Sequence, residues 1–362
     1  MNKNIRWLKY SISLMLIIIL IISIFNFKID SLGLFGNSNY LSKAAKSLTN
    51  GNMIAGLKDY DERLFQELII KNLKVKNDVI AIGSSRTMQL RKRYFLEDGK
   101  NFFNHSVSGA TLEDYIAIIG AYELLHQYIP SVVIFGIDPW VFNKNNSQNR
   151  WKSLNKYYKY EIAKIYNKKK YSDRSININK WQQLINYDYT ISNIKFYKAL
   201  LKKKGQIFYI TDTINVDDSI KETDGSIHYP FKKRYIKENK VKINAIAYTN
   251  KPVYSLEKFI ELNNDDIKLF ENFIKYLHSK NTKIIFFLPP YNPITYDLLI
   301  KKPEYQIINK VEKYLVKFAN KSNITLKGSY NPHKYNLVNK DFYDGMHGRD
   351  IAIEKIFNLN VR

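Results

Sequence analysis

Uncharged apolar runs and amphipathic stretches alternate along much of this chain, and the alternation predicts its elements. The first run, residues 10–27 (YSISLMLIIILIISIFNF), holds 18 residues without a charge. That is about the length needed to cross a bilayer core. Lys3, Arg6 and Lys9 precede it, and Trp7 and Tyr10 suit the headgroup level. Positive charge is retained on the cytoplasmic side, so the rest of the chain is expected outside. No small-x-small cleavage site follows the run, which favours an anchor over a cleaved signal.

Shorter apolar runs follow at residues 78–82, 101–107, 131–137, 282–288 and, more weakly, 323–326. Each is bounded by Gly, Ser or Pro or by polar residues, as buried strands are. Helical spacing appears between them. Thr111 is a candidate cap for a helix over 111–123, with Glu113 and Asp114 in its first turn. Ile267, Phe270, Phe273, Ile274 and Leu277 share one helical face, with Asp265 and Asp266 at its positive end. Ile308, Val311, Leu315 and Phe318 form another stripe, and residues 351–357 a last helix. Such alternation predicts an α/β fold: a flavodoxin-like three-layer sandwich around a parallel sheet of about five strands. The pattern lapses over about 141–262, a stretch rich in Lys, Tyr and Asn with lysine triplets at 168–170 and 202–204, read as a helical insertion. The expected organisation is a cytoplasmic tail (1–9), a transmembrane helix (10–27), a juxtamembrane segment with some helix (28–75) and one large domain (76–362).

Charge narrows the partners. Lys and Arg exceed Asp and Glu, for a net charge of +24. An excess of that size favours anionic partners. An outward-facing domain turns this away from nucleic acid and toward phosphate-bearing polymers or the membrane surface. The chain has no cysteine, hence no disulfide framework and no thiolate metal site. No His, Asp or Glu spacing suits zinc, there is no P-loop, and no cofactor is called for.

Candidate chemistry gathers where ligands bind in parallel sheets, beyond the C-terminal strand ends. Gly83-Ser84-Ser85 follows the first strand, Ser108-Gly109 the second, and Asp138 the third. A serine in a strand-to-helix turn is exposed and lies near backbone N–H groups, and a helix is expected from about Arg86. Serine needs a base beside it, and the base an orienting acceptor. Asp344-Gly345-Met346-His347 supplies both: His347 as base, Asp344 as its orienter. His105 reads as a structural residue, and the segment 224–228 (DGSIH) as an ordinary turn.

In these blocks the chain resembles the SGNH (GDSL-like) hydrolase superfamily. Gly83-Ser84-Ser85 is similar to its first block, residues 104–109 (NHSVSG) to its second, and Asp344-Gly345-Met346-His347 to its last, Asp-x-x-His. Within it, the chain looks most like membrane-anchored envelope proteins, the D-alanyl teichoic acid protein D type and those of alginate and other exopolysaccharide O-acetylation. The resemblance covers about 78–139 and 282–357 and leaves out the insertion. It implies oxyanion contacts from the Ser85 and Gly109 N–H groups. The third family block is Gly-x-Asn-Asp, whose Asn donates to the oxyanion. Here Gly136-Ile137-Asp138-Pro139 stands in its place, and an ionised Asp138 cannot donate. Either Asn143 or another donor substitutes, or the hole is weaker. The resemblance further implies acyl transfer to an envelope glycan or anionic wall polymer, with a multispanning membrane O-acyltransferase as partner, or de-esterification. The other open reading is a non-catalytic scaffold that keeps the fold.

Overall fold

A computed structural model describes residues 3–31, 34–35, 40–95, 99–167, 180–202 and 207–358. The lysines at 168–170, 203 and 204 lie outside them. The first apolar run forms α1 (Lys3–Ile29). It is one helix long and apolar enough, over Asn4–Ile29, to cross a membrane. Next come α2 (Tyr40–Thr49), β1 (Met53–Ala55), α3 (Glu62–Lys71), β2 (Val79–Ile82), β3 (Phe102–Asn104), α4 (Leu112–His126) and β4 (Val132–Gly136). The middle of the chain contributes α5 (Asn155–Ile165), α6 (Tyr187–Lys202), β5 (Tyr209–Thr211), β6 (Ile220–Lys221), β7 (Ile227–His228), α7 (Phe231–Arg234) and α8 (Glu238–Thr249). The last part holds α9 (Asn264–Ser279), β8 (Lys283–Leu288), α10 (Pro293–Leu299), α11 (Ile307–Lys321), β9 (Thr325–Gly328) and α12 (Asp350–Phe357).

The five expected strands form one parallel sheet in the order β3-β2-β4-β8-β9. Alternate side chains serve different clusters, as the pleat requires. Ile80, Ile82, Val133, Phe135, Ile284 and Phe286 join the apolar stripes of α4, α9 and α11. Val79, Ala81, Ile134 and Phe287 pack instead with Ala352, Ile353 and Ile356 of α12. Thr111 is the N-cap of α4, and its N–H donates to Asp114 Oδ2 at 2.9 Å. The chain runs from β2 to β3 on one side, then crosses back to β4 on the other. Connections that diverge in this way leave a crevice beyond the strand ends.

Two expectations change. No α-helix starts at Arg86: residues 85–89 form successive turns. The buried Asn104 side chain donates to the carbonyls of Thr87 (3.0 Å) and Leu90 (2.9 Å), taking up acceptors that a helix would have used. The 141–262 region is not wholly helical. Its β5, β6 and β7 join β1 in a second, antiparallel sheet of order β5-β1-β6-β7. Residues 40–71 supply the helix expected of the juxtamembrane segment, as α2 and α3, and also join the packing. Leu41, Ala44, Ala45, Leu48, Phe65 and Ile69 are buried in a cluster that includes Phe103 of β3.

Candidate active site

Ser85 sits in the turn after β2, and glycines allow that turn to close on β4. A Cβ on Gly83 would lie 2.8 Å from the Gly136 carbonyl oxygen and 2.4 Å from Thr87 Oγ1, so only glycine fits. The last block comes from a loop that doubles back before α12: Tyr343 N donates to His347 O at 2.9 Å, and Phe342 bridges to Gly348. This fold-back places His347 Nε2 2.9 Å from Ser85 Oγ. The other ring nitrogen, Nδ1, lies 2.9 and 3.0 Å from the two Asp344 oxygens. With Nδ1–H donating to the carboxylate, Nε2 is left to accept from the Ser85 hydroxyl. Ser85, His347 and Asp344 are therefore brought together as the sequence led one to expect.

Asp344 Oδ1 also accepts the backbone N–H groups of Met346 (3.0 Å) and His347 (2.9 Å). Burial alone would raise its carboxyl. The His347 imidazole, Lys233 and the Met346 amide outweigh that and hold it well below the usual carboxylate range. Lys233, from α7, stands 3.4 Å from Asp344 Oδ2 and 3.8 Å above the Tyr229 ring. The Tyr229 ring in turn lies edge-on to His347, centroids 5.9 Å apart. Sequence reasoning did not find Lys233 or Tyr229, since both lie in the region without a pattern.

Gly109 has φ +56, and a Cβ there would meet Tyr254 Oη at 2.2 Å and an Arg150 guanidinium nitrogen at 2.6 Å. Its loop runs beside the Ser85 turn, with His105 N donating to Ala81 O (2.7 Å) and Val107 N to Gly83 O (2.9 Å). Glu62, the first residue of α3, holds the loop from outside: it accepts from the Ser108 hydroxyl at 2.8 Å and from the Ser108 amide. The N–H groups of Ser85 and Gly109 meet no acceptor among the described residues. His105 is fully buried between Gln66 and Tyr122, each at 2.7 Å. Burial, aided by Lys221, lowers its pKa to about 3, so it stays neutral. Residues 222–226 make the tight β6–β7 turn, with Gly225 at φ +78, and Ile227 and His228 form β7 itself.

Neither third-block candidate presents a free hydrogen-bond donor. Asn143 Nδ2 donates to the Ser255 carbonyl at 2.8 Å and its Oδ1 accepts from Asn145 N at 3.0 Å, so its amide is used in fastening the 255–257 segment. Asp138 is wholly buried and ion-paired to Arg86 at 2.7 Å. Burial raises its carboxyl above the ordinary value, against the pull of Arg86. Arg86 was missed. It donates to Met346 O (3.0 Å) and Pro289 O (2.5 Å) and stacks on Tyr291 at 4.1 Å. One side chain thus ties the serine turn to the histidine loop, to Asp138 beyond β4, and to the end of β8.

Among the described residues no group of three or more His, Cys, Asp or Glu side chains is placed to hold a metal ion. No protein-family model matches this chain, and no curated protein matches it.

Proposed function

We propose that the chain is a membrane-anchored, extracytoplasmic acyl-transfer enzyme of the SGNH type, with a flavodoxin-like three-layer core. The observation that carries this reading is the unbroken relay from Ser85 through His347 to Asp344, with 2.9 Å links on both sides of the imidazole. It stands beyond the C-terminal end of β2, where the strand order reverses, the position at which parallel sheets bind ligands.

In this reading Ser85 Oγ attacks an ester or thioester carbonyl and its proton passes to His347 Nε2. The oxyanion is met by the Ser85 and Gly109 N–H groups. Collapse of the intermediate expels the first alcohol or thiol, which takes the proton from His347. An acceptor hydroxyl then attacks the acyl-serine and gives its proton to His347; the bond from the acyl carbon to Ser85 Oγ breaks, and Oγ takes that proton back, restoring the serine and the neutral imidazole. A glycan or polyol acceptor makes the reaction O-acylation; water makes it de-esterification. The basic surface and the anchor favour an envelope glycan or an anionic wall polymer. A multispanning membrane O-acyltransferase would deliver acyl groups to it. The three basic residues before α1 support a cytoplasmic N-terminus.

The second reading is a non-catalytic scaffold. Its support is that neither Asp138 nor Asn143 offers a hydrogen bond to an oxyanion. A fluorophosphonate probe on the full-length protein in detergent separates the two. The enzyme reading expects one label, on Ser85, lost in Ser85→Ala and in His347→Ala. A folded protein that takes no label would overturn it.

A further inference from the structure

The last turns of α1 are not free. Asn26 is fully buried; its Nδ2 donates to Leu184 O and to Thr190 Oγ1, both at 2.8 Å. Asn193 donates back to Asn26 Oδ1 at 2.9 Å and accepts from Ser31 N at 2.8 Å, and the Tyr189 hydroxyl donates to Asp30 at 2.9 Å. This polar lock joins the outer end of the apolar helix to α6 and to the 3-10 turn before it (Lys180–Ile185). Aromatic contacts extend it: Phe27 packs on Phe35 (5.3 Å), and Phe35 on Trp181 (5.5 Å).

Depth follows from helix geometry. At about 1.5 Å per residue, the uncharged residues 10–27 rise roughly 27 Å, close to the ~30 Å of a hydrocarbon core. Lys9 and Lys28 mark its two boundaries. Asn26 and Phe27 therefore sit at the outer boundary, and so do the residues bonded to or stacked near them. Yet several of the large side chains there are largely exposed: Trp181 is 60% exposed, Ile185 62% and Tyr187 77%. Trp and Tyr at this level are what a membrane interface selects. Lys195 and Lys198, exposed on α6, add attraction for anionic headgroups.

We propose that the outer end of α1, the 3-10 turn and α6 form one platform seated in the headgroup layer of a bilayer, docking the α/β domain on the membrane. The proposal rests on the reading that α1 spans. Its occupant is lipid because the exposed residues continue the surface of the spanning helix at the boundary depth.

The absence of cysteine makes the test direct. Single substitutions Ile18→Cys, Ile185→Cys, Tyr187→Cys and Ile260→Cys in the full chain each take an environment-sensitive fluorophore. The proteins are placed in nanodiscs of zwitterionic and anionic lipid, with and without nitroxide-labelled lipid. Ile18 lies within α1, and Ile260 is 80% exposed in the α/β domain. The expected result is quenching at 18, 185 and 187 several-fold above that at 260. Quenching at 18 with positions 185 and 187 no different from 260 overturns the platform and leaves the anchor standing. No quenching at 18 overturns the spanning helix itself, and the platform with it. Positions unquenched in nanodiscs yet shielded from an aqueous quencher in native membranes would mean a protein covers the face, which also overturns the lipid assignment.

Discussion

Arg86 and Asp138 show what a single residue can carry beside the candidate nucleophile. Both side chains are fully inaccessible, so removing one leaves the other as a buried, uncompensated charge. Arg86→Met is expected to cost about 3–5 kcal/mol, read as a lower urea midpoint. Arg86→Met combined with Asp138→Leu should regain much of that, since an apolar pair of similar volume leaves no stranded charge. Equal costs for the single and double variants would show that the pair does not act as a unit. Ser85 and His347 should be coupled differently. Ser85→Ala and His347→Ala each are expected to abolish ester hydrolysis, with the double variant little worse, because either loss disables the same nucleophile. Asp344→Asn should be comparable or milder, since it disturbs the imidazole's tautomer and leaves the hydroxyl in place. The three relay residues were legible in the sequence because chemistry demands those residue types in short blocks. Arg86 was not. Next to a serine turn it reads as the solvated start of a helix, and its burial depends on Asp138, Pro289 and Met346, which only the fold brings near.

Elements were legible where period and length were strong. β2, β4 and β8 are continuous apolar runs and form close to the expected bounds. β1, β5, β6 and β7 have two or three residues each, too short to display a period of two, and their pairing depends on partners up to 167 positions away, as in Ile54 opposite Lys221. Charge at helix ends was only half legible. Asp265 and Asp266 were expected to gain from the positive end of α9. Asp266 instead has its pKa raised to about 6, by burial first and then by Glu113 and Asp265. Its folded value lies above its unfolded one, so the native state holds the proton more tightly between about pH 4 and 6. Stability is then lost as pH rises through that window, and the full penalty is present above it. Asp266→Asn is expected to raise stability at pH 8 by about 1 kcal/mol once solvent screening is allowed for, and by little below pH 4. Urea midpoints at the two values check this. An equal gain at both would point to packing rather than charge. Gly109 offers a sharper local test. At φ +56 a Cβ is strained and would press on the tips of Tyr254 and Arg150, so Gly109→Ala is expected to disturb its loop, and ester hydrolysis should fall by about 100-fold or more if its N–H meets the developing charge.

At the scale of the whole molecule, the sequence placed the start of the α/β domain near residue 76, and packing places it earlier. β1 lies between β5 and β6, so the second sheet has no centre without it. α3 sends Arg63 into a buried bidentate pair with Asp114 at the start of α4, both links at 2.9 Å. It also sends Glu62 to the loop that carries Gly109. None of this was visible as pattern, because an arginine and a glutamate in a mixed helix read as surface until their partners are known. A chain beginning at residue 40 keeps all of these contacts and gives up α1 and the polar lock around Asn26. It is expected to unfold cooperatively and to take the fluorophosphonate label at Ser85. A chain beginning at residue 76 strands the Asp114 carboxylate, exposes Phe103 and dissolves the second sheet. The stranded charge alone costs about 3–5 kcal/mol, against a total stability of roughly 5–15 kcal/mol for a domain. That chain is expected to aggregate or to melt without a cooperative transition, and to leave the probe unbound. Thermal melts and labelling of the two truncated proteins decide the matter. If the shorter chain melted cooperatively and carried the label, residues 40–75 would be an appendage, and the hold of Glu62 on the Ser108–Gly109 loop would be dispensable.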